Sequence, residues 1–66
     1  MITLHGNCTS PTDGKAILEL RGLSTDEKPT EEFADFPIAN GSTFYEMNTG
    51  ALFMFNADNA EWIEQE

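Results

Sequence analysis

The sequence predicts an all-β protein: a small antiparallel sheet with an N-terminal strand pair and a C-terminal three-stranded meander. Two aromatic runs with a period of two flank a glycine-containing turn at residues 47–50. A second cluster of turn formers follows at residues 56–60. The one run with good helix propensity, residues 15–21, is confined between two glycines and is too short for a stable helix. One short helical turn near residues 30–36 is compatible with this fold.

The N-terminal strand pair is predicted at residues 2–5 and 15–21. Ile2 and Leu4 alternate with polar residues until Gly6 and Asn7, so we expect the first strand to end there and a loop to run over residues 7–14. In residues 15–21 alternate positions are apolar, so one face of this strand carries Ala16, Leu18 and Leu20. We expect this pair to cover the aromatic face of the meander.

Residues 22–40 are predicted to form a connecting loop. The segment is polar up to Pro29. Thr30 precedes two glutamates, which is the pattern of a helix N-terminus, and Pro37 would close the turn. Phe33 and Phe36, three residues apart, would then pin this turn onto the sheet.

The meander is predicted at residues 41–65. We predict that its first hairpin closes with a three-residue loop. In such a loop two residues adopt right-handed helical angles and the third is left-handed, and the residues that fit are Asn48, Thr49 and Gly50. Gly50 therefore sets the register. The run at 51–56 is apolar on both faces, so something must cover it. Residues 61–65 form the third strand, with Trp62 on one face and Ile63 on the other.

Size and charge restrict the function. The 66 residues form one domain (1–21 strand pair, 22–40 loop, 41–65 meander) that buries little apolar surface, and the lone Cys8 allows no internal disulfide. Association with further copies or a larger assembly is therefore expected. A net charge of −9 repels nucleic acids and anionic membranes. No run is long enough to span a membrane and the start lacks a signal-peptide pattern, so we expect a protein made in a cytoplasm.

No metal, cofactor or catalytic site is predicted. His5 and Cys8 have half the ligands of a zinc site, but the chain has no second His or Cys. The oxygen ligands at residues 56–61 lack the spacing and glycine of a calcium loop, and a hydrogen-bonded turn is the better interpretation. No pair of carboxylates stands out, and Ser42 lies in an ordinary strand entry. We therefore expect no enzymatic activity and no small-molecule substrate.

Seven aromatic residues are many for so few interior positions. Because alternation sends them to both faces of the sheet, we expect some at a protein interface, where Trp and Tyr are enriched. The predicted interface residues are Phe44, Tyr45, Phe53, Phe55 and Trp62.

Most of the chain, residues 16–65, resembles a family of small proteins encoded among the structural genes of tailed bacteriophages and prophages. The resemblance rests on residues 21–30, residues 40–50 with their Asn-Thr-Gly turn, the aromatic strand that follows, and Trp62. A similar string occurs as a small β-module in phage fibre proteins. The resemblance implies a virion protein, located in capsid, head fibre or tail, that binds phage capsid or tail proteins or forms a homo-oligomer.

Two other functions fit the composition. Acidic clusters at residues 27–35 and 61–66 would suit a DNA mimic that inhibits a host DNA-binding protein. Alternatively, the charge only maintains the solubility of a β-domain without partners.

Overall fold

A computed structural model describes residues 1–65, and this part of the chain contains strands but no helix. The all-β prediction is confirmed. Five strands form one sheet in the order β1-β2-β5-β6-β7, and two short strands, β3 and β4, form a separate hairpin. The strands are β1 (Thr3–Thr9), β2 (Ala16–Gly22), β3 (Glu32–Phe33), β4 (Phe36–Pro37), β5 (Thr43–Glu46), β6 (Leu52–Asn56) and β7 (Glu61–Gln65).

The N-terminal pair is present and antiparallel, but β1 is longer than predicted. It continues through Gly6 and Asn7 to Thr9 because a bulge between Leu4 and Gly6 shifts the register and lets the ladder resume. Gly6 allows this because the Glu19 side chain lies over it; a Cβ at Gly6 would stand 2.5 Å from Glu19 Oε2. Gly6 and Asn7, which were predicted to end the first strand, therefore lie at and just after a bulge within it.

The pairing between the N-terminal pair and the meander is parallel, so the sheet is mixed rather than wholly antiparallel. Leu20 pairs with Phe44 and Gly22 with Glu46 in the β2–β5 ladder. Parallel neighbours need a long crossover, and residues 23–42 supply it. The N-terminal pair thus extends the sheet sideways, and the expectation that it covers the aromatic face of the meander is wrong.

The crossover packs on one side of the sheet, which we call the covered face. Leu18, Leu20 and Phe44 are at most 1% exposed there, and Ile38 of the crossover is 2% exposed. Ala39 N–H donates to the Ala16 carbonyl at 2.8 Å, which fixes the crossover to the start of β2. The crossover therefore provides the second layer that a sheet needs in order to bury one face.

The helical turn expected near residues 30–36 is wrong, since β3 and β4 form a hairpin here. Its two central residues, Ala34 and Asp35, have φ angles of 52° and 68°, and two positive φ angles in a row are those of a tight two-residue turn. A one- or two-turn helix is unstable alone, whereas the hairpin lets Phe33 pack against the core. Phe36 points outward and is 37% exposed.

Ser42 joins the crossover to the meander and is completely buried. Its hydroxyl accepts a hydrogen bond from Leu18 N–H at 3.0 Å and donates to the Ala39 carbonyl at 2.8 Å. Its carbonyl accepts from Phe55 N–H at 2.8 Å. The Ser42 side chain thus provides the acceptor for a backbone N–H of β2, at Leu18, one residue before the β2–β5 ladder begins.

The meander forms as predicted, with β7 at the expected residues. Its first loop, however, has four residues rather than three: residues 47–50 lie between Glu46 and Ala51, and Gly50 N–H donates to the Glu46 carbonyl at 2.8 Å. Gly50 has the expected left-handed conformation, with φ of 79°. The second loop, residues 57–60, ends on Ala60, a non-glycine residue at φ of 52°.

Candidate functional site: the open face of the sheet

The side of the sheet opposite the crossover carries an apolar surface, which we call the open face. Its large apolar residues are between 39% and 51% exposed: Tyr45, Met47, Leu52, Met54 and Ile63. They lie on three neighbouring elements, β5 with its loop, β6 and β7. No other segment among residues 1–65 forms a layer over them.

The strand register makes this surface continuous. Tyr45 pairs with Leu52 across β5 and β6, and Met54 pairs with Ile63 across β6 and β7. Leu52 and Met54 are two apart on β6 and therefore share a face. Paired side chains on one face lie about 5 Å apart, so the four residues form one patch. An exposed, continuous apolar patch is typical of a protein interaction site.

A shallow groove of about 560 Å³ runs beside β5 on the open face. Its apolar lining includes Tyr45, Met47 and Leu52. Glu19 and Arg21 of β2 form the polar side of the groove. Arg21 pairs with Tyr45 in the parallel ladder, so a basic residue and the tyrosine are neighbours at this border. The groove is apolar along its floor and charged on one side.

The structure separates the five aromatic residues predicted at an interface. Phe44 is 0% exposed and Phe55 4% exposed, so both are core residues and are closed to a partner in this fold. Phe53 and Trp62 are partly buried against the same core. Tyr45 alone lies on the open face. The contact surface available to a partner therefore consists of Tyr45 with aliphatic and methionine side chains.

Trp62 is held tightly on the covered face. Its ring centroid is 5.0 Å from that of Phe55 and 6.0 Å from that of Phe44 in an edge-to-face arrangement. Its indole N–H donates to the Pro29 carbonyl at 2.7 Å. A Trp whose N–H is satisfied within the chain and whose ring packs on two phenylalanines serves the core.

A partly buried ion pair anchors the crossover near the first hairpin. Lys28 Nζ lies 2.6 Å from Glu46 Oε2, and it is 4.8 Å and 4.3 Å from the ring centroids of Phe44 and Phe53. The hydrogen bond from Lys28, and next that from the Thr49 hydroxyl, lowers the pKa of Glu46, while burial works in the opposite direction. Glu46 is therefore a charged structural residue in the core rather than an acid available for catalysis.

The turn residues predicted as structural also contact the crossover. Asn48 Oδ1 accepts from Ser24 N–H at 2.9 Å, and Asn48 Nδ2 donates to Ser24 Oγ at 2.8 Å. The Thr49 hydroxyl donates to Glu46 Oε1 at 2.7 Å. The turn thus closes a hairpin and also fixes the start of the crossover, a long-range role that its sequence does not reveal.

Asp26 fixes the same part of the crossover. Leu23 N–H donates to Asp26 Oδ2 at 2.8 Å, and this hydrogen bond, followed by that from the Met1 amino group, lowers the pKa of Asp26. The carboxylate therefore acts as a turn acceptor.

Of the other candidate residues, His5 and Asn56 serve local structure. His5 Nε2 is hydrogen-bonded to Thr3 Oγ1 at 2.6 Å, and Cys8 is exposed on β1. Asn56 Oδ1 accepts from Asp58 N–H at 3.1 Å, which is the hydrogen-bonded turn inferred for that segment. Within residues 1–65, no three His, Cys, Asp or Glu side chains are grouped so that they could hold a metal ion.

Comparison with known proteins gives no match: no family model, curated protein or solved structure matches this chain.

Proposed function

We propose that this protein is a non-enzymatic accessory component of a tailed-phage particle that works by protein–protein contact through the open face. The observation that supports this most directly is the continuous patch formed by the Tyr45–Leu52 and Met54–Ile63 pairs. A soluble β-domain ordinarily places polar residues on the uncovered face of an antiparallel sheet. Here that face is apolar at its centre, so a contact surface explains it better than solubility does.

The chemistry of the patch supports protein recognition over small-molecule binding. The groove beside β5 is shallow, whereas pockets for small molecules bury most of the ligand surface. Two methionines, Met47 and Met54, lie on the open face, and methionine adapts its shape to the partner it meets. The resemblance of residues 16–65 to small phage structural proteins gives the setting, a capsid or tail lattice.

Virion association is tested by mass spectrometry of purified particles from a lysogen or phage that carries the gene. We expect peptides of this chain in particles at a reproducible ratio to the major capsid or tail protein. Their absence from particles, with the chain present in the lysate, would refute the proposal.

The surface is tested with a matched pair of leucine substitutions. Leu52 on the open face and Leu23 in the crossover are 39% and 37% exposed. Leu52→Glu is expected to abolish incorporation into particles, and Leu23→Glu to retain it, although both carry the same change in charge. Equal incorporation of the two variants would show that the open face is not the contact surface.

A second candidate function is the acidic mimic of DNA. It is favoured by the exposure of Glu27, Glu31, Glu32 and Asp35 along the crossover. Such a protein would compete with DNA for a host DNA-binding protein and would therefore be recovered from lysate together with that protein. Replacing these four acidic residues by their amides would abolish the recovery. Recovery of no DNA-binding protein would dispose of this candidate.

A further inference from the structure

The acidic residues are distributed unevenly between the two faces. On the strands of the sheet, the open face carries two carboxylates, Glu19 and Glu61, and one guanidinium, Arg21. The remaining acids of the described chain lie in loops, in the crossover or on the covered face. A chain of net charge −9 therefore has one face that is nearly neutral and apolar at its centre. Two copies can bring these faces together while most of their carboxylates point away from the contact.

The edges of the sheet are poor sites for association. At one edge, β7 carries Glu61 and Glu64, and charged residues on an edge strand oppose the addition of another strand. At the other edge, the bulge near His5 interrupts β1. Since both edges are blunted, the open face is the part of the sheet left for contact with a second chain.

The size of the open face suits a small dimer. Five strands spaced about 4.8 Å apart, each about five residues long at about 3.3 Å per residue, give roughly 400 Å² of flat area. Side-chain relief raises the accessible area toward about 600 Å² per partner, the lower end of specific interfaces. Such an interface is expected to be weak and concentration-dependent.

We propose that the open face is covered by the open face of a second copy, giving a two-fold β-sandwich of two sheets. In this arrangement the ridge formed by Met54 and Ile63 of each copy lies over the groove lined by Tyr45, Met47 and Leu52 of the other, because a two-fold interface uses the same patch twice. The sheets would stack about 10 Å apart, as in other sandwiches. This inference rests on the proposed function, in that it assigns the partner of the same surface.

The test is sedimentation equilibrium of the full chain at several protein and salt concentrations. We expect a monomer–dimer equilibrium that strengthens as salt rises to about 0.5 M, because screening weakens the repulsion between two acidic chains. Leu52→Glu is expected to weaken the dimer by at least about tenfold and Leu23→Glu by less than about twofold, as for residues inside and outside an interface. Circular dichroism verifies that each variant keeps the fold.

A wild-type chain that stays monomeric up to about 1 mM in high salt would overturn the inference whatever the variants do. Equal weakening by Leu52→Glu and Leu23→Glu would overturn the assignment of the surface. If the chain is monomeric but enters particles, and Leu52→Glu abolishes this incorporation, the dimer is refuted and the proposed function stands. A salt-strengthened dimer sensitive to Leu52→Glu but absent from particles would support the dimer and refute the proposed function.

Discussion

The role of the Ser42 hydroxyl gives the sharpest prediction about stability. In the variant Ser42→Ala, Leu18 N–H loses the acceptor that lies 3.0 Å away. The Ala39 carbonyl remains satisfied, because Ser42 N–H also donates to it at 3.3 Å. The substitution therefore leaves one fully buried donor without a partner and removes a single oxygen from the core.

A buried, unsatisfied backbone donor costs about 1–3 kcal/mol, and we expect Ser42→Ala to lower the free energy of unfolding by about 2 kcal/mol. In urea this corresponds to a midpoint lower by about 1–2 M at an unchanged m-value, if m is about 1–2 kcal/mol/M. The thermal midpoint is expected to fall by roughly 8–16 °C for a domain of this size.

The assay is equilibrium unfolding in urea followed by Trp62 fluorescence, with amide hydrogen exchange of Leu18 as a local readout. Ser24→Ala is the matched control: it removes the same atom from an exposed serine whose hydroxyl accepts one hydrogen bond from Asn48. We expect it to change stability by less than about 0.5 kcal/mol. If Ser42→Ala were no more destabilising than Ser24→Ala, the assignment of Ser42 as the acceptor for the buried Leu18 amide would be refuted.

Three further predictions concern Gly22, Glu46 and Ala60. A Cβ at Gly22 would stand 2.8 Å from Phe44 Cζ, so Gly22→Ala should destabilise by about 1–3 kcal/mol in the same urea assay, and an unchanged midpoint would contradict this. Glu46 has a lowered pKa in the folded chain, so its contribution to stability is present above its ordinary pKa of 4.5 and is lost as pH falls through the lower folded value. Glu46→Gln should therefore flatten the dependence of melting temperature on pH below 4.5, and a parallel pH profile would contradict it. Ala60 has φ of 52°, so Ala60→Gly should raise stability by about 0.5–1 kcal/mol, measured by thermal unfolding; a loss would show that the loop is not strained.

The sequence predicted those parts of the fold that depend on neighbouring residues. The alternation of Ala16, Leu18 and Leu20 gave the correct inward face of β2, and Gly50 has the left-handed conformation expected for its turn. Trp62 and Ile63 point to opposite faces as predicted. Each of these features follows from a period or a turn residue that is visible within a few positions.

Features that depend on distant partners were not predicted. The parallel pairing of β2 with β5 is closed by contacts between residues far apart in the chain, such as Ala39 N–H with the Ala16 carbonyl. The buried position of Glu46 depends on Lys28, which comes from the crossover. A glutamate in a strand is ordinarily assigned to the solvent side, and no local pattern indicates that a lysine 18 residues earlier compensates it.

The loop length decides which face of β5 lies beside which face of β6. With a three-residue loop at residues 48–50, Tyr45 would pair with Phe53 and Phe44 with Met54, so Tyr45 would join the other aromatic rings and Phe44 would lie on the opposite face. With the four-residue loop that forms, Phe44 pairs with Phe53 and Tyr45 with Leu52. A shift of one residue exchanges the faces of one strand relative to the other.

The four-residue register gathers phenylalanines and Trp62 on a single side of the sheet. Phe55 pairs with Trp62, so these two rings join Phe44 and Phe53 on the face that the crossover covers. The other side is left with Tyr45 and flexible aliphatic side chains. The loop length at Gly50 thus decides which residues form the core and which face a partner can reach. A protein that binds the open face would contact methionine, leucine and isoleucine side chains around the single ring of Tyr45 rather than a cluster of aromatic rings.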